Sequence, residues 1–105
     1  MLDQLSNTEQ DILNQIKTVI DPEVAINIVD LGLIYEVNHT EETKSIQVIM
    51  TLSARGCPVG DTIIHHVETV VLAAYADYNV SVELVWEPQW TPDLITDEGK
   101  KALNQ

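Results

Sequence analysis

The stretch "SIQVIMTLSARGCPVGDTIIHHVETVVLAAYADYNVSVELVW", residues 45–86, changes its hydrophobic period twice. Over 45–53 it alternates. Ile46, Val48, Met50 and Leu52 take one face, and Gln47, Ile49, Thr51 and Ser53 the other. The first face is expected to pack on helices and the second to stay partly wet. Further on, Ile63, Ile64, Val67, Val70, Val71 and Ala74 recur at helical spacing. Pro58 suits a first helical position, since its missing N–H would be unpaired there anyway. After a turn at Asp77-Tyr78-Asn79, residues 80–86 alternate again, with Val80, Val82, Leu84 and Trp86 on one face. The expectation is strand 45–53, helix 58–76, strand 80–86.

Upstream, Ser6 and Glu9 stand at capping-box spacing before Ile12, Leu13, Ile16, Val19 and Ile20, which predicts a helix over 7–19 behind a frayed start. Asp21-Pro22-Glu23 ends it, because a residue before proline avoids helical geometry. The segment 24–31 is apolar but irregular. Asp30-Leu31-Gly32 reads as a turn into a strand over 33–38, and the polar run 39–44 as a hairpin connection. Downstream, Glu87 to Pro92 is held extended by its prolines, and a short helix is expected at 97–103, capped by Thr96. The order α-β-β-α-β-α specifies a two-layer α+β domain, a small three-stranded mixed sheet with helices on one face.

One such domain fits 105 residues, of which 45% are hydrophobic and 21% charged. No apolar run approaches the length of a membrane span, and no basic segment precedes an apolar one, which argues against spanning and secretion. A single cysteine closes no internal disulfide, and that points to a reducing, cytoplasmic setting. The formal net charge of −12 opposes phosphate backbones and anionic lipid, so neither nucleic acid nor membrane is expected as a partner.

The cysteine, Cys57, falls at the break between strand and helix, between Gly56 and Gly60. The expected helix start puts it at the N-cap, where unpaired amides and the helix dipole stabilise a thiolate. Arg55 acts in the same direction and Asp61 against it. A second cysteine for dithiol redox work is absent, since Gly60 takes its place. His65 and His66 are too far along the helix for a close Cys–His pair, roughly 12 Å by helical rise. A lone thiolate remains usable as one ligand of an iron–sulfur cluster. The competing view is a small apolar residue in a glycine turn. By position alone, Asp21 and Glu23 read as turn residues, Thr51 as a strand former, and Trp90 as a cover for a core edge.

Three segments, "DPEVAINIVDLGLIYEV", "VIMTLSARGCPVGD" and "VELVWEPQWTPDLIT", together resemble the small metal–sulfur cluster assembly factors. That group includes SufT-like proteins and the PaaD subunit of phenylacetyl-CoA oxygenase systems. The resemblance covers residues 9–103. It implies an iron–sulfur-assembly-type domain and an accessory, non-enzymatic role in maturing iron–sulfur proteins. By motif match, the functional positions are Asp21, Pro22, Glu23, Asp30, Gly32, Thr51, Arg55, Gly56 and Pro58, with Cys57 as a candidate cluster ligand. Trp86, Pro88 and Trp90 match the family's ending and form a candidate partner surface. Two departures stand out. Arg55 adds a positive charge to the loop, and the extra C-terminal cysteines of PaaD-like members are missing, so the stand-alone SufT-like group fits better.

The implied cargo is a transient iron–sulfur cluster or iron, and the implied partners are assembly proteins and client apoproteins. A homodimer would bring two Cys57 thiolates, still short of the four ligands a two-iron cluster takes. The rest would come from small thiols or carboxylates such as Glu23. Two other classes stay open: a non-catalytic interaction module with a structural cysteine, and a monothiol enzyme using Arg55 with Glu23 or Thr51.

Overall fold

A computed structural model describes residues 4–56 and 59–104. Helix α1 spans Asn7–Ile16 and begins as its capping box requires: the Ser6 hydroxyl accepts from Glu9 N, and the Glu9 carboxylate accepts from Ser6 N at 3.0 Å. It stops one turn earlier than the apolar spacing suggests. Val19 N donates to Ile16 O and Thr18 Oγ1 to Gln15 O, a tightened exit that still sends Val19 into the core.

Strands β1 (Ile20–Asp21) and β2 (Ile26–Asn27) pair antiparallel as a two-stranded ribbon around the Asp21-Pro22-Glu23 turn. Two residues a side are too few for alternation to show, which is why this segment reads as irregular. Strand β3 (Ile34–Thr40) pairs antiparallel with β4 (Ser45–Met50), and β4 pairs parallel with β5 (Asn79–Leu84). The sheet order is β3-β4-β5, the three-stranded mixed sheet expected from the sequence.

Helix α2 (Gly60–Ala74) makes the crossover that a parallel pair needs. Its Ile63, Val67 and Val71 pack toward Ile46, Val48 and Met50 of β4 and Ile12 and Ile16 of α1, all at or near complete burial. Helix α1 meets α2 and β3, and α2 meets β5, so both helices cover the same side. A 3-10 turn (Pro92–Leu94) and helix α3 (Asp97–Leu103) close the chain, with α3 against β2 and capped by Thr96 as expected.

Other boundaries move as well, among them β3, which runs over Ile34–Thr40 rather than 33–38. Strand β4 ends at Met50 rather than residue 53. The expected strand 80–86 is β5, two residues shorter at its far end. Helix α2 starts at Gly60 with Val59 as its N-cap, so the N-cap assigned to Cys57 belongs two residues later. Cys57 and Pro58 themselves lie outside the described residues.

The second face is partly wet as expected, with Gln47 and Ser53 exposed, but Thr51 on that face is fully buried. Its N–H donates to Leu33 O at 2.8 Å, which carries the β3 pairing past the end of β4. Alternation turns its side chain away from Met50 and the helices, toward the side where the C-terminal segment returns. Tyr35 pins that return by donating its hydroxyl to Pro88 O at 2.7 Å.

Candidate functional site

The C-terminal ends of β4 and β5 run out side by side, and Val85 N donating to Met50 O extends their parallel pairing by one step. Beyond it the two chains part. Leu52 to Arg55 go one way and Trp86 to Gln89 the other, and between them lies a cavity of about 280 Å³. Leu52, Ser53, Ala54 and Arg55 form one wall; Trp86, Glu87 and Gln89 form the other. Clefts outside the carboxyl ends of parallel strands are a common place for a ligand, because the loops there are free to diverge.

Arg55 is the chain's only arginine. Its guanidinium carbon lies 4.5 Å from the centroid of the Trp86 ring, a cation–π stack that joins the two walls. Stacked on its face, a guanidinium keeps its edge N–H donors available. Among the described residues no carboxylate pairs with it; the ion pairs there involve only His39 and Lys44. Gly56 follows at φ +76, a left-handed conformation that glycine adopts without a Cβ penalty, with open space around the position of a Cβ.

The Trp86 wall is fastened at several points. Tyr35, only 3% exposed, holds Pro88 through its hydroxyl. Burial pushes the Tyr35 phenol up, and the Glu87 charge adds to this, while a hydrogen bond with Thr51 opposes it. Trp90 donates its indole N–H to Leu31 O at 2.7 Å and packs half-buried on the core, so its ring is held by the fold. Asp30 accepts from Asn27 Nδ2 and from Thr96 Oγ1, and its carbonyl accepts from Thr96 N, which ties the Asp30-Leu31-Gly32 turn to the start of α3. Gly32 sits at φ +80 directly under Leu94, where a Cβ would come within 2.4 Å of the Leu94 carbonyl oxygen. Asp30, Gly32, Thr51 and Trp90 thus hold the frame around the cavity, while Arg55 and Trp86 line it.

The Asp21-Pro22-Glu23 turn is built separately. Asp21 is buried and its Oδ1 accepts from Glu23 N at 2.8 Å. None of its three residues is among the described residues lining the cavity. His65 and His66 lie exposed on α2. Among the described residues no three His, Cys, Asp or Glu side chains converge as a metal site, and no helix is long and apolar enough to cross a membrane.

The description "Iron-sulfur cluster assembly protein" belongs to the family model that matches residues 9–84, most of the chain. The chain belongs to this family. Its curated relatives include a protein of Staphylococcus aureus named Fe-S protein maturation auxiliary factor SufT, 45% identical over 81% of this chain and 96% of the relative. A Porphyromonas gingivalis protein named Fe-S protein maturation auxiliary factor is 38% identical over 98% of this chain and 97% of its own length. The fold agrees at a TM-score of 0.85 with a crystal structure of a domain of unknown function from Bacillus anthracis, 31% identical over 91% of both chains. The SufT-like resemblance of the three motifs and the α+β fold expected from it therefore hold.

Within this member of the family, sequence reasoning missed Tyr35 and the cavity itself. The tyrosine stands in an ordinary strand pattern, and only the return of the C-terminal segment gives it a role. The signal that was present is the pair of divergent ends after two strands on either side of one helix.

Proposed function

We propose that this chain is an accessory factor in the maturation of iron–sulfur proteins, and that it helps pass a cluster or iron to client apoproteins through Cys57. The observation that carries the reading is the family match, together with relatives named as Fe-S protein maturation auxiliary factors over nearly their whole length. Local chemistry supports the same reading. Cys57 follows directly on the Arg55-Gly56 loop, whose unpaired cation opposes a strongly acidic chain and favours a thiolate nearby.

The cluster is cargo in this account. One thiolate per chain is too few to own a cluster that takes about four, so Cys57 holds it briefly between a donor and a client. A homodimer shares the task between two Cys57 thiolates. The partners are assembly proteins and client apoproteins in the cytoplasm, docked by the acidic surface and by the Trp86-Pro88 edge beside the cavity. Transfer exchanges thiolate ligands at iron, from the donor's to Cys57 and from Cys57 to the client's, and asks for no other covalent change, so we read the role as accessory and not enzymatic.

Deleting the gene, and separately introducing Cys57→Ser, should both lower the activity of iron–sulfur enzymes such as aconitase under high demand for clusters. Full activity in both strains would overturn the proposal.

A further inference from the structure

We infer that the cavity between the Arg55 and Trp86 walls binds a free α-amino acid, its carboxylate held by Arg55 and its ammonium by Glu87. This site stands apart from the maturation role and uses neither Cys57 nor a cluster.

Four observations carry it. Arg55 and Glu87 line the same cavity from opposite walls, yet the ion pairs among the described residues involve only His39 and Lys44. A cation and an anion that share a cavity without meeting suit a ligand that carries both charges. Stacking on Trp86 fixes the plane of the guanidinium and leaves its edge N–H donors for the two oxygens of a carboxylate. The Glu87 charge is felt as far in as the buried Tyr35 phenol, so it acts on the cavity as well as on solvent. The size agrees: a sphere of about 280 Å³ is roughly 8 Å across, close to the span of an amino acid's two charged groups with a hydrogen bond at each end. Ser53 and Gln89 add neutral polar groups to the lining, and Leu52 and Ala54 a short apolar surface, so a small side chain fits best. A dicarboxylate would set a second anion against Glu87 in a chain already at −12, and a simple amine would leave Arg55 unused.

The probes are L-alanine, propionate and L-alaninamide, titrated into the full chain while the Trp86 indole N–H resonance is followed. Trp90 is the internal control, since its indole N–H is held by Leu31 O. L-Alanine should give a saturable shift at Trp86 and none at Trp90. Propionate lacks the ammonium and alaninamide lacks the carboxylate. Each should bind about tenfold more weakly than L-alanine, the loss expected for one charge-assisted hydrogen bond. No saturable shift with L-alanine, or equal binding of either analogue, overturns the inference.

Two variants assign the charges. Arg55 and Glu87 are both exposed, so Arg55→Gln and Glu87→Gln keep the fold. Each should weaken L-alanine about tenfold. In Glu87→Gln, L-alanine should lose its advantage over propionate and keep its advantage over alaninamide. In Arg55→Gln the pattern should reverse. Were Arg55 only a brace for the Trp86 wall, its loss would weaken all three probes alike, and that outcome overturns the inference, as does any assigned advantage that survives its variant. No readout involves a client protein or Cys57. A failed titration therefore leaves the maturation role standing, and a failed maturation assay leaves this site standing.

Discussion

Gly32→Ala tests how the cavity's second wall is held without touching the cavity. Gly32 has φ +80, and a Cβ there would stand 2.4 Å from Leu94 O and 2.7 Å from Leu94 Cβ. Two costs add. An L-residue in left-handed geometry costs roughly 1–2 kcal/mol, and forcing a methyl into packed atoms costs about 1–3 kcal/mol. Stiffening of the unfolded chain adds about 0.4–1 kcal/mol more to the stability of a substitution the native backbone accepts, and only partly offsets strain where it does not. The net expectation is a loss of about 2–4 kcal/mol, which lowers Tm by roughly 10–20 °C in a domain of this size. Gly56→Ala is the control. Its φ of +76 matches, but nothing lies within 4 Å of its Cβ position, so only the backbone cost of about 1 kcal/mol applies. Urea unfolding of both variants measures the difference. Equal losses would show that Leu94 does not press on this turn, and the argument that the turn braces the C-terminal segment would fail.

Tyr35→Phe removes the hydroxyl that holds Pro88 O and should cost about 1–2 kcal/mol by urea unfolding, with weaker binding at the cavity. Thr96→Ala deletes both the cap of α3 and the bond to Asp30, so a loss of about 1–2 kcal/mol is expected in the same assay. At the other end of the sheet, the Tyr78 hydroxyl and then Lys44 hold the Glu41 carboxyl down to about 2. A folded-state value below the ordinary 4.5 contributes stability above that pH, which is lost as the pH falls toward 2. Glu41→Gln should therefore flatten the drop of Tm between those two values, and an unchanged acid limb would contradict the assignment. Burial, then the hydrogen bond to Asp11, push the Tyr75 phenol up to about 12, so Asp11→Asn should bring its ultraviolet titration to lower pH.

Much of this fold is legible because its patterns are local. Ile46, Val48 and Met50 alternate, Ile63, Val67 and Val71 keep helical spacing, and Ser6 and Thr96 announce their helices through hydrogen bonds three residues long. What could not be read depends on contacts distant in sequence. Thr51 is buried and shares a hydrogen bond with Tyr35, which in turn holds Pro88 across a separation of 53 residues that no period encodes. The two-residue strands β1 and β2 fall below the length at which alternation has meaning. The ring geometry of Pro58 predicts a start of α2 there, yet Val59 carries the cap without a side-chain bond, a type of start that leaves no sequence mark. Arg55 was legible as a charge beside Cys57. Its stack on Trp86, which turns two loop ends into one cavity, was not.

The most direct test of the maturation role uses purified components under strict exclusion of oxygen. A scaffold-bound cluster is offered to apo-aconitase, and the return of activity is timed with wild type, with Cys57→Ser and with no addition. The account predicts that wild type accelerates reactivation and that Cys57→Ser does no better than the blank. Equal acceleration by Cys57→Ser would remove the thiol from the transfer and contradict the central claim.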